Sequence, residues 1–154
     1  MSSARGQANH RLYLARILLL AWERALTEED VAGTVLNQAY LPAVKEHLTG
    51  AYGWFLLEIS RPDPVPAIIP HSVHELPGVT QGKALAGEIR EFSQLEESAW
   101  LGELLAAQPA KTLKTPGQNL ASNAGEGADI SQMRHWADQL QALFDRMSDS
   151  LDEY

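Results

Sequence analysis

The 154-residue sequence contains no cysteine, which excludes disulfides, thiolate metal sites, iron–sulfur clusters and cysteine nucleophiles. Basic residues are also scarce, because 12 Lys and Arg stand against 20 Asp and Glu and give a net charge of −8. A negative field repels the phosphate backbone, so no binding to nucleic acid is expected.

Long apolar runs are missing as well. The uninterrupted apolar run at residues 17–22 is much shorter than the roughly 20 residues of a membrane span. Arg16 interrupts the apolar region that a signal peptide would need. The sequence therefore predicts no membrane association and a cytoplasmic location by default. Its length predicts one domain over residues 1–154.

Catalytic motifs are absent too. No Glu is followed by His three residues later, as di-metal bundles require, and neither His-Glu-x-x-His nor Gly-x-Ser-x-Gly occurs. The glycine-containing stretches lack the Lys of a phosphate loop. The sequence predicts no catalytic residue, no cofactor and no metal site.

Four amphipathic segments are present, at residues 9–26, 28–60, 81–108 and from 129 nearly to the C-terminus. They predict an all-α fold, an antiparallel four-helix bundle. Residues 1–8 are expected to fray. Residues 61–78 form a long proline-rich connection between the second and third helices, with one short helical turn at 72–75. Residues 109–128 are predicted to be a surface loop.

The helices are not equivalent. Additional apolar residues beside its heptad stripe predict that the first helix is the most buried. Pro42 predicts a kink or break near residues 36–41 of the second helix, and Gly50 and Gly53 predict a close approach of another helix. A capping-box spacing predicts a possible break near Ser93 in the third.

The fourth helix has the clearest pattern. Asp129 and Gln132 have the spacing of a capping box at its start. Trp136 on this helix and Trp100 on the third predicted helix are interpreted as core residues rather than as exposed anchors for a partner. The apolar positions of this helix recur at alternating steps of three and four: Ile130, Met133, Ala137, Leu140, Phe144, Met147 and Leu151. Residues 1–27 are basic and residues 129–154 are acidic, which favours first and last helices lying side by side.

Several short strings resemble a family of small bacterial proteins of unknown function. These strings are Arg-Leu-Tyr-Leu-Ala-Arg at 11–16, Ala-Trp at 21–22, Glu-His-Leu at 46–48, Leu-Glu-Ile at 57–59 and Ser-Ala-Trp-Leu at 98–101. The resemblance implies a single helical domain over most of the chain and implies no activity. Pro42 and the proline-rich segment depart from the family's pattern.

One helical face carries the candidate site. His47, Ala51, Trp54 and Glu58 follow at steps of four, three and four, so they share a stripe. His47 and Glu58 are about 16 Å apart along the axis and cannot touch. One interpretation is a ligand-binding or acid–base pocket containing His47, Trp54 and Glu58. The other is a structural histidine satisfied by a neighbouring helix and a solvated glutamate.

A pair of histidines lies in the proline-rich segment. His71 and His74, followed by Glu75, would share a metal on a helix, but no third and fourth ligand is evident.

Two functions from different classes remain open. The first is a non-enzymatic helical interaction module that uses the apolar surface of residues 12–26, either to bind a protein partner or to form a homodimer. The second is a bundle that binds a small molecule or a metal near His47 and Glu58, under segment 61–78.

Overall fold

The computed structural model describes residues 3–62, 64–77, 87–109 and 128–152, with side chains as far as residue 150. Within these ranges all regular structure is helical and no strand occurs, which confirms the all-α prediction. A single 3-10 turn, Val73–Glu75, lies in the proline-rich segment, where the sequence predicts one. The α-helices are α1 (Ala4–Glu28), α2 (Gly33–Ser60), α3 (Gly87–Ser98), α4 (Trp100–Ala106) and α5 (Ile130–Asp152).

The first helix begins at Ala4, so the prediction that residues 4–8 fray is wrong. Ser3 is the N-cap, and its Oγ accepts the N–H of Gly6 at 2.9 Å. Ala8 is fully buried, which fixes the first turns against the core. α1 ends at Glu28, and Glu29 adopts a left-handed conformation with φ 58°.

The second helix runs without a break through Pro42, so of the kink or break predicted near residues 36–41 the break is wrong. Proline inside a helix costs about 3 kcal/mol. Leu41 and Val44 on either side of it are fully buried, while Pro42 itself is exposed. Packing of its neighbours therefore offsets the missing backbone hydrogen bond.

The most enclosed helix is α2 rather than α1, which corrects the sequence prediction. Buried positions occur around α2 along most of its length, because α1, α3, α4 and α5 all contact it. The buried residues of α1 form a single stripe of Ala8, Leu12, Ala15, Leu19 and Trp22. Of its additional apolar residues, Leu18 packs against the core, whereas Tyr13, Ile17 and Leu20 are exposed.

The third predicted helix is divided into α3 and α4 at Ala99, not near Ser93, and residues 81–86 lie outside the described residues. Ala99 is extended, although its N–H still donates to the carbonyl of Leu95 at 3.2 Å. Gly102 packs so closely on the Glu96 carbonyl that any Cβ would overlap it. This close approach permits the sharp turn between the helices.

The fourth predicted helix is α5, and Asp129 is confirmed as the N-cap residue of the predicted capping box. The N–H of Gln132 donates to Asp129 Oδ1 at 2.9 Å. Trp136 is buried and Trp100 is partly buried against the core, as predicted. Five positions of the predicted stripe are buried, namely Met133, Ala137, Leu140, Phe144 and Met147. The side chain of Leu151 and most of the predicted loop 109–128 lie outside the described residues.

Helices α1 and α5 lie side by side, as their opposite charges predict. Arg16 pairs with Asp138 at 3.0 Å, and Arg134 of α5 pairs with Glu23 of α1 at 2.9 Å. Such exposed pairs contribute little stability, so the apolar core holds the helices together. No described helix is both long enough and apolar enough to cross a membrane.

Three aromatic rings join α2, α3 and α5 at the centre of the core. Phe55 stacks on Phe144 with ring centroids 4.2 Å apart, and Phe92 meets Phe55 edge-on at 6.2 Å. Geometries of this kind are favourable beyond the area that they bury.

Candidate functional site

The three residues of the predicted His47–Trp54–Glu58 site have separate surroundings. His47 is half-buried near Arg11 and His10 of α1. Its Nδ1 is buried and has no hydrogen-bond partner among the described residues. Burial lowers the pKa of His47, and the positive charge of Arg11 lowers it further. An uncharged imidazole is therefore favoured at this position.

Glu58 joins the two ends of the α1–α2 hairpin. Its carboxylate lies 3.4 Å from the guanidinium of Arg5, at the start of α1, and 3.6 Å from that of Arg61, just beyond α2. Both guanidinium groups lie closest to the same carboxylate oxygen, Oε1. The two ion pairs make Glu58 a structural link between the start of α1 and the end of α2.

Trp54 lines a cleft that neither His47 nor Glu58 reaches. The cleft has a volume of about 200 Å³ and lies between α1, α2 and the proline-rich segment. Its lining mixes charges of both signs with apolar surface: Arg11, Glu46, Thr49, Gly50, Trp54, Ile69 and His71. The structure therefore divides the predicted stripe among three places rather than gathering it into one pocket.

The histidine pair of the proline-rich segment does not form part of a larger ligand set. The backbone N–H of His71 donates to the Glu75 carboxylate, which closes the turn between them. The described part of the chain holds no group of three or more His, Asp or Glu side chains positioned for a metal ion.

Gly50 and Gly53 of α2 both allow close approaches, as the sequence predicts, but only one approach comes from a helix. At Gly50 the guanidinium of Arg11 from α1 lies 2.5 Å from where a Cβ would stand. At Gly53 the carbonyl of Pro70 and the side chain of Ile69 occupy that space. The proline-rich segment is therefore seated directly on the α2 backbone.

A polar cluster that the sequence analysis missed fastens the same segment. Glu96 of α3 accepts the hydroxyl of Tyr52 at 3.0 Å and the backbone N–H of Val73 at 3.0 Å. Tyr52 and Val73 are both buried. Glu96, which as one of two adjacent glutamates looks like part of a solvated charge run, instead connects α2, α3 and the 3-10 turn.

The environment of Glu96 favours its neutral form. Burial raises the pKa of Glu96, and the two hydrogen bonds and nearby His74 only partly oppose that rise. Burial and the Glu96 carboxylate together raise the pKa of Tyr52. The other charged group near the carboxyl is Glu75, which repels its ionised form.

The outer face of α1 is the clearest unpartnered surface of the described residues. Tyr13, Ile17 and Leu20 follow at steps of four and three on the side opposite the buried stripe, and they are 61%, 43% and 56% exposed. The same spacing makes coiled-coil seams. These three residues are among the additional apolar residues from which the sequence predicts that α1 is the most buried helix.

Arg24 lies next on this face, and it is exposed. With Leu20 it lines a shallow cleft of about 360 Å³, whose other walls are Glu23, Thr27 and Glu28. The apolar stripe thus ends in a concave surface.

Comparison with protein-family models, with curated proteins and with solved structures finds no match to this chain. The resemblance to small bacterial helical proteins stays a prediction.

Proposed function

We propose that this chain is a non-enzymatic cytoplasmic interaction module that associates with a second copy of itself through the outer face of α1. The observation that carries the proposal is the contiguous exposed stripe of Tyr13, Ile17 and Leu20. In the proposed architecture, an antiparallel four-helix bundle, α3 and α4 together take the third position. That leaves one full face of α1 for association.

A second copy is the occupant because the stripe is complementary to itself. Ile17 and Leu20 form a central apolar pair, and a two-fold axis between copies brings each pair against the other. Knobs-into-holes packing needs this alternation of four- and three-residue steps on both helices. A second α1 supplies it without any further partner.

Isolated exposed apolar residues are common and need no explanation, so the contrast with the rest of the chain matters. Val65 and Ile68 are 60% and 82% exposed, but they lie in the proline-rich segment rather than on a helix. They offer no helical seam. The stripe on α1 combines exposure with regular spacing on a long helix.

Replacing Ile17 with Glu is expected to abolish association at concentrations where the unmodified chain is dimeric. A charge buried at the centre of an interface weakens binding by about 2 kcal/mol or more, which raises the dissociation constant roughly thirtyfold. The fold should persist, because the side chain at position 17 is already 43% exposed and glutamate is a good helix former. Sedimentation velocity over a range of concentrations measures the effect.

Ile68→Glu is the matched control, since it adds the same charge at an exposed isoleucine away from α1. It should sediment like the unmodified chain. A monomeric unmodified chain at every concentration, or equal weakening by both substitutions, would show that the outer face of α1 does not mediate association.

A further inference from the structure

The outer face of α1 carries an exposed aromatic ring, Tyr13, and a cleft that is complementary to such a ring, but the two are too far apart to meet within one chain. The exposed ring of Tyr13 lies eleven residues before Arg24, which is about 16 Å along the helix axis. Arg24, with Leu20, lines the cleft at the C-terminal end of the stripe. An aromatic ring that filled this cleft would have to come from another molecule.

We propose that the two copies pair with their α1 helices antiparallel, each inserting Tyr13 into the other's cleft between Leu20 and Thr27. This orientation rests on the proposed function, which requires association but not a direction. In this register Ile17 of each copy packs against Leu20 of the other. Two equivalent tyrosine contacts then flank one apolar centre.

The chemistry of the cleft suits a phenol. The Arg24 guanidinium gives a cationic surface for the face of the ring. Glu28 provides a carboxylate acceptor for a hydroxyl at the rim. Leu20 supplies the apolar wall.

Charge along α1 favours the same direction. Arg24 is exposed on the outer face, and the exposed Glu28, Glu29 and Asp30 follow one another at and just beyond the C-terminal end of α1. A parallel pair would place these acids beside their own copies and Arg24 beside Arg24. An antiparallel pair removes both repulsions.

Variants with a single cysteine report the relative orientation of the two α1 helices directly, because the unmodified chain contains no cysteine. Tyr13→Cys and Arg24→Cys variants leave the central Ile17 and Leu20 intact. Each variant is oxidised mildly alone and as an equimolar mixture, with Ile68→Cys as the control for random collision. A disulfide requires Cα atoms within about 7 Å, so a 16 Å offset is resolved.

If the pair is antiparallel, the mixture should form a covalent dimer that contains one copy of each variant. Its yield should be several-fold above the yield of covalent dimer from either variant alone. Disulfides formed by Tyr13→Cys alone and by Arg24→Cys alone would overturn the orientation while leaving association through α1 intact. Yields no higher than those of Ile68→Cys in every sample would overturn the association as well.

Discussion

Gly53→Ala is expected to lower the free energy of unfolding by about 1–3 kcal/mol, although alanine is the better helix former. The added Cβ would overlap the carbonyl of Pro70 and the side chain of Ile69. A backbone carbonyl cannot rotate away as a side chain does. The proline-rich segment must therefore move off α2, and it draws the N–H of Val73 away from Glu96.

Gly33→Ala in the same helix is the control for this substitution. Its Cβ would meet only Leu26 Cδ2, at an ordinary contact distance of 3.7 Å. Urea denaturation should show it equal to or slightly more stable than the unmodified chain. If Gly53→Ala also leaves stability unchanged or raises it, the segment is not seated on α2 as described.

The second large effect is expected at the polar cluster, where Glu96→Ala should cost about 1–3 kcal/mol. The substitution leaves the fully buried hydroxyl of Tyr52 without its acceptor and releases the Val73 N–H. Adding Tyr52→Phe to this variant removes the orphaned hydroxyl and should recover part of the loss. Chemical denaturation of the single and double variants measures this coupling.

Glu96→Gln tests the charge separately, because one amide oxygen can accept both hydrogen bonds. The pKa of Glu96 is raised above its ordinary value of 4.5, so the folded chain holds the proton more tightly than the unfolded chain. The stability contributed by this group is complete below pH 4.5 and is lost as pH rises through the folded pKa. Glu96→Gln should therefore match the unmodified chain near pH 4 and exceed it at pH 7, whereas an equal difference at both values would contradict the assignment.

The sequence predicts best where one element's own pattern decides the outcome. The stripe of α5 and its cap depend only on local spacing, and both are present as predicted. The 3-10 turn follows equally from local signals. The start of α1 is the exception, because the burial of Ala8 against the core adds stability that residues 1–8 do not reveal.

Properties that depend on neighbouring elements of the fold cannot be predicted from the sequence of one helix. A wide apolar face on α1 is equally compatible with a second internal partner and with an external one, so the prediction that α1 is the most buried helix is wrong. Pro42 breaks a helix unless tertiary packing opposes it, and the sequence does not show that packing.

The polar side chains show the same limit. His47, Trp54 and Glu58 do share one helical stripe, but α1 and the proline-rich segment cover different parts of it. Glu96 resembles any exposed glutamate until the fold brings Tyr52 and Val73 to it. A tyrosine and a glutamate separated by 44 positions give no local signal of contact.

The central claim, that a second copy covers the outer face of α1, is tested most directly by thiol labelling of an Ile17→Cys variant. Maleimide reacts with this one thiol, and Ile68→Cys provides the exposed reference. The account predicts that labelling at position 17 slows as protein concentration rises, while labelling at position 68 does not change. Labelling at position 17 that is equally fast at every concentration would contradict it.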